Sequence, residues 1–248
     1  MTDIVNWIYS DKNFNLLKSK DDSEDREKML EIIDKGNKAE LQEIFQTGIE
    51  YKYDFYKEYL YESNLFLFKS LEYNVKESVY CLIIGAHTAS ITNTNLILER
   101  AIKLALIQYS SENLLDFSDE EIIQKYIESD KKYSGKNLDQ NIQTCQSFKI
   151  FTEAEAKELK DYKIKFRDGF SHFTPKNILK GEESRFHIPG QEIDDKMKAH
   201  FKLPTYQAIE VMQFAINEAE NHLKYVLQII NHLQYKILFK FSKSKNCR

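Results

Sequence analysis

Residues 95–107 read NLILERAIKLALI, and their apolar members return every three to four positions, the repeat of a helix with one face in a core. Just upstream, CLIIGA at 81–86 is apolar on most sides. Together the two stretches predict one long helix from Ser78 to Gln108, placed centrally in the fold. The same period recurs on either side. Tyr51, Phe55, Tyr59 and Phe66 interleave with Lys and Glu and predict an amphipathic helix over 49–71. Ser118 with Glu121, and Thr152 with Glu155, have capping-box spacing and predict helices over 119–129 and from 153 onward. Between them the loop KKYSGKN leads into a helix over 138–148. The helix opening at Thr152 carries the stripe Leu159, Tyr162, Phe166, Phe170 and Phe173. It should stop before Pro175, because the residue preceding a proline is driven out of helical geometry. Residues 175–203 read as an excursion, with His187 in RFHIPG able to line a cleft if it folds over the preceding helix. A last long helix is expected over 205–235.

Composition points the same way. Seven glycines and three prolines among 248 residues stand against about thirty at average usage. A sandwich, barrel or propeller needs a turn breaker every ten residues or so, and this chain cannot supply them. The expected fold is all-α, an antiparallel helical bundle over 49–236. Residues 1–48 form a helical N-terminal extension whose two short helices, ending near Gly36 and Gly48, pack on the main body. Residues 237–248 form a basic tail.

Charge narrows the partners. Thirty-five basic residues against 39 acidic ones leave a net charge of −4, so no global field attracts polyanions and any nucleic-acid contact must be local. Cys81, Cys145 and Cys247 have no metal-pair spacing and read as free thiols. With no exported leader and no apolar run of bilayer length, the expected location is cytoplasmic, with no membrane partner.

Several chemistries lack their residues. No glycine spacing fits a dinucleotide fingerprint or a phosphate-cradling loop, so no nucleotide cofactor is expected. Neither the Glu-x-x-His pairs of di-iron bundles nor HExxH occurs, and no metal is assigned. Glu218 and His222, one turn apart, could hold a metal, but an exposed ion pair is the simpler expectation. His222 and His232 lie about 80° out of alignment on a helix and share no ligand face.

One constellation remains, in DYKIKFRDGFSHFTP at 161–175. With Leu159 as zero, Arg167, Ser171, Asp168 and His172 fall at about 80°, 120°, 180° and 220°, away from an apolar stripe centred at about 340°. Arg167 and His172 are then about 140° apart, too far for a straight helix to aim both at one small target. Gly169 between them can permit a kink or a close approach, and a second subunit can close the cleft. An imidazole that titrates near neutrality can move a proton at a ribose hydroxyl, and a guanidinium can hold two phosphate oxygens. Asp168 could orient His172, and Ser171 could bond phosphate. Glu99 and Arg100 could pair with this segment or form a salt bridge along their own helix.

This Arg-x4-His segment, R-D-G-F-S-H on a late helix of an all-α chain, resembles the HEPN superfamily (higher eukaryotes and prokaryotes nucleotide-binding), which is characterised by Arg-x4-6-His. NLILERAIKLALI likewise looks like the bundle helix that precedes the motif helix there. The resemblance implies a dimeric helical bundle acting as a metal-independent endoribonuclease on single-stranded or looped RNA, often a toxin or phage-defence effector with an antitoxin or regulatory partner. Arg167 and His172 take the catalytic positions and Asp168 the polar position after the arginine, where Asn is commoner. Some family toxins continue as His-x-Tyr, the tyrosine being modified by the antitoxin; here Phe173 and Thr174 follow, so that target is missing. The alternative is a non-catalytic bundle that binds a partner protein or a nucleotide through the same cleft.

Overall fold

A computed structural model describes residues 23–61, 64–111, 114, 116, 118–179 and 203–245, and every regular element among them is helical. In chain order they are α1 (Ser23–Thr47), a π-helical turn (Gly48–Lys52), α2 (Tyr53–Tyr61), a 3₁₀ turn (Lys69–Leu71), α3 (Glu72–Ile83), α4 (His87–Ser110), α5 (Glu120–Tyr133), α6 (Leu138–Ser147), α7 (Glu153–Lys163), a second π-helical turn (Ile164–Asp168), the single turn α8 (Gly169–Ser171), α9 (Pro175–Leu179) and α10 (Pro204–Lys245).

α4 is the centre. Ile91, Leu98, Ala101, Ile102, Ala105 and Leu106 form its principal buried stripe, and Ser90, Ile97 and Ile107 are buried beyond that stripe, so neighbours cover much of its circumference. α10 lies along it, with α3, α5, α6 and the second π turn on its other sides. α10 presents Val211, Ala215, Ala219, Leu223, Val226, Ile230, Leu233, Ile237 and Phe241 at three- and four-residue intervals. It therefore runs ten residues past the expected end at 235. The first part of the expected basic tail is helix, with Ile237 fully buried and Lys240 donating to the Tyr109 carbonyl.

Five expectations need correction. The extension is one helix rather than two short ones: Gly36 sits inside α1, where a Cβ would meet nothing within 4 Å. Nor does α1 lie on the main body, since its residues from Lys28 to Thr47 are exposed except for the half-buried Met29. At Gly48 the chain passes α3 so closely that a Cβ would stand 2.7 Å from the Ile83 carbonyl oxygen. The predicted helix 78–108 is two, broken where Gly85 takes φ +76° and the amides of Gly85 and Ala86 bond back to Leu82 and Cys81. Helix 49–71 ends at Tyr61 because buried glutamines compete for the backbone beyond it. Gln234 donates to the Asn64 carbonyl (2.7 Å) and accepts from the Leu67 amide (3.0 Å), while Gln108 donates to the Leu67 carbonyl (2.8 Å). Finally, α5 is capped by Asp119, which accepts from the amides of Glu121 and Ile122; Ser118 bonds Asp116 instead.

Candidate active site

α7 opens with the full capping box expected at Thr152: its amide donates to Glu155 Oε2 (2.7 Å) and the Glu155 amide donates to Thr152 Oγ1 (3.2 Å). Eleven residues later the backbone widens into the π turn Ile164–Asp168. Such a turn closes i to i+5 and so carries more residues per revolution than an α-helix. Here it brings the Gly169 amide onto the Ile164 carbonyl, five positions back, and Arg167 lies within it while His172 lies beyond it. The distortion thus falls just before Gly169 rather than on it. It is held from outside, because the buried Asn95 of α4 donates Nδ2 to the Phe166 carbonyl at 3.0 Å. On the inner side Phe166 and Phe170 are buried, each contributing about 2–3 kcal/mol by removal from water.

None of the four polar candidates is buried: Arg167 and Asp168 are half-exposed, Ser171 and His172 exposed. Arg167 Nη1 donates to Asp168 Oδ1 at 2.9 Å, and Nη2 lies 3.9 Å from Glu99 Oε2. Glu99 also takes Lys103 (3.1 Å), so it joins the segment as well as pairing along its own helix, whereas Arg100 donates to Asn74. The other Asp168 oxygen accepts from Lys163 at 2.9 Å, and Lys163 bridges on to Asp139 at 2.7 Å. Burial works against the charged carboxyl of Asp168, but the hydrogen bonds and charges of Lys163 and Arg167 outweigh it and hold its pKa below the ordinary value. Asp168 therefore orients Arg167 and Lys163, not His172 as expected. Among the described residues none hydrogen-bonds the His172 imidazole.

The helix ends as a Schellman motif: the Phe173 amide donates to the Phe170 carbonyl (3.3 Å) and the Thr174 amide to the Gly169 carbonyl (2.7 Å). His172 is the C-cap, and Phe173 occupies the left-handed position at φ +43°. Phe173 was expected in the apolar stripe; the reversal throws it outward, 53% exposed. Pro175 then starts α9, which folds back so that Ile178 lies against Gly169.

Beneath the segment lies a feature the sequence reading missed. His222 is fully buried, its ring parallel to that of Phe166 at 4.4 Å between centroids, and its Nδ1 is 2.6 Å from Tyr162 Oη. The expected exposed pair with Glu218 is not formed. Burial pushes the His222 pKa down to about 3, and it pushes the Tyr162 phenol well above its ordinary range. The Ile91 backbone opposes the His222 shift without making a well-formed hydrogen bond to Nε2. With Tyr162 as donor to Nδ1, the imidazole proton sits on Nε2. The dyad floors a groove of about 360 Å³ rimmed by Glu158, Asp161, Lys165 and Glu218. The signal was present: His222 falls in register with Ala215, Ala219, Leu223 and Val226 on the buried face of α10.

Among the described residues no three His, Cys, Asp or Glu side chains converge as a metal site, and no helix is long and apolar enough to cross a membrane. Cys145 is buried, which pushes its thiol far above the ordinary range, and Cys81 is shifted the same way more mildly. Cys247 and His187 lie outside the described residues. Comparison of the chain with protein-family models, curated proteins and solved structures finds no match.

Proposed function

We propose that this chain is a HEPN-like, metal-independent endoribonuclease that cleaves single-stranded or looped RNA, with Arg167 and His172 as its catalytic residues in a homodimer that completes the cleft. The observation that supports it best is the π turn at Ile164–Asp168, since irregular turns of this kind recur at functional sites and this one carries Arg167 and Asp168. In the reaction the ribose 2′-oxygen attacks the adjacent phosphorus as His172 accepts its proton. The P–O5′ bond breaks, the departing oxygen takes a proton from the second copy's imidazole or from water, and a 2′,3′-cyclic phosphate remains. Arg167 stabilises the charge on the phosphoryl oxygens. To reach them it must exchange Asp168 or Glu99 for phosphate, and Ser171 stands exposed on the next turn to donate a further bond.

One observation favours a second reading. Arg167 is already held by Asp168 and Glu99, the arrangement of a structural ion pair, which suits a bundle that binds a partner protein or a nucleotide without catalysis. Incubation of the purified protein with RNA in EDTA separates the two. The ribonuclease reading expects cyclic-phosphate ends from wild type and losses of about 10²-fold or more in Arg167→Ala and His172→Ala. Equal absence of cleavage in all three, with their helical spectra unchanged, favours the binding bundle.

A further inference from the structure

α1 is 25 residues long, about 37 Å, and lies apart from the core. In proteins most helical stability comes from packing an apolar face rather than from propensity, so such a face on a helix apart from the core calls for a cover. Leu30, Ile33, Leu41, Ile44 and Phe45 remain 39–55% exposed, and with Met29 they line one side of the helix. At about 100° per residue all six fall within about 80° of Asn37.

Their order is symmetric. Leu30 and Ile44, Ile33 and Leu41, and Met29 and Phe45 are pairs each centred on residue 37. A two-fold axis at Asn37 therefore sets Leu30 on Ile44 of a second, antiparallel copy, and Ile33 on its Leu41, as an isologous contact requires. Charge agrees on one flank: within each copy Lys38 pairs with Asp34 at 2.7 Å, and reversal brings Asp34 of one copy to about 3 Å along the axis from Lys38 of the other, an added attraction between copies. Area agrees too. Five side chains 39–55% exposed and the half-buried Met29, at roughly 85 Å² each, bury about 1,000 Å² in total from two copies, the least that a specific interface needs. Asn37, the polar residue in mid-stripe, meets its own counterpart on the axis, where an amide pair fixes register.

We infer that α1 is a self-association arm, its Met29–Phe45 stripe paired antiparallel with that of a second copy of this chain. The inference does not depend on RNA cleavage. Light scattering of the full chain should show a dimer, and Leu30→Glu/Leu41→Glu should raise the dimer dissociation constant by about 10²-fold or more with thermal unfolding of the body unchanged. Under oxidation Asn37→Cys should cross-link to itself, a bond located by peptide mass spectrometry, while Leu30→Cys should cross-link to Ile44→Cys and not to itself. A monomeric wild type, a dimer that survives the glutamates, or self-linking of Leu30→Cys overturns the inference. So does a chain that dimerises only after residues 1–22 are removed, since that segment would then be what covers the stripe.

Discussion

A Cβ added at Gly169 would lie 2.6 Å from Cγ1 of Ile178 and 3.5 Å from its backbone nitrogen. Glycine here is what lets α9 fold against the candidate catalytic segment. In an open helix Gly→Ala gains about 1 kcal/mol. Ile178 is buried and β-branched, so it cannot swing clear, and Gly169→Ala should instead destabilise by about 1–3 kcal/mol through overpacking. Urea unfolding checks the sign. Adding Ile178→Ala should recover part of the loss as a favourable coupling, and additive effects would show that the two residues do not press on each other.

What the chain declares locally was readable; what depends on distant partners was not. The Thr152–Glu155 box and the buried faces of α4 and α10 follow from spacing alone. The break at Gly85 was hidden because the apolar residues run through it without a pause. Lys149 and Phe173 close their helices at φ +60° and +43° in positions where glycine is the usual signal, so the turns themselves are not marked, although Pro175 announces the second stop. Gly36 misled in the opposite sense: with open space around it, it is carried through an exposed helix at modest cost. The π turn depends on an amide 71 positions upstream, Asn95 to the Phe166 carbonyl, and periodicity carries no trace of that. Arg167, Asp168, Ser171 and His172 lie off the core face as expected, yet the network that takes up Asp168 runs through Lys163, outside R-D-G-F-S-H, to Asp139 on α6.

His222 ties stability to pH. Folded, it stays neutral down to about pH 3; unfolded, it takes up a proton near the ordinary value of 6.5. Between those values the unfolded chain binds more protons. Stability should therefore be fully present above pH 6.5 and fall as pH drops toward 3, by up to about 1.4 kcal/mol per pH unit from this group. Asp168 and Glu155, whose pKa values are lowered in the fold, lose their contribution only at more acid pH, so the window from 6.5 to 5 belongs to the histidines: His222, and His87, whose pKa burial and then Lys52 lower in the same direction. Denaturation across that window should give a steeper slope for wild type than for His222→Gln. Identical slopes would mean the imidazole charges in the folded protein. Tyr162→Phe should cost about 1–3 kcal/mol at neutral pH, because it strands Nδ1 without its 2.6 Å partner.

Phe173 is an aromatic residue in a left-handed position immediately after His172. An L side chain there costs about 1–2 kcal/mol, and at 53% exposure the ring recovers little of that by burial. Glycine removes the steric cost but loses more entropy on folding, so Phe173→Gly should stabilise the fold by about 0.5–1 kcal/mol. Lys149 holds the same place in the Schellman turn after α6, far in sequence from the candidate site, and Lys149→Gly gives the size of the gain where no function is proposed. Thermal unfolding of both variants, with RNA binding measured in parallel, reads stability and function separately. A rise in melting temperature for both, with RNA binding weakened only in Phe173→Gly, would show that the exposed ring is kept for contact with a ligand beside His172. Equal gains with RNA binding unchanged would leave Phe173 as a helix terminator alone.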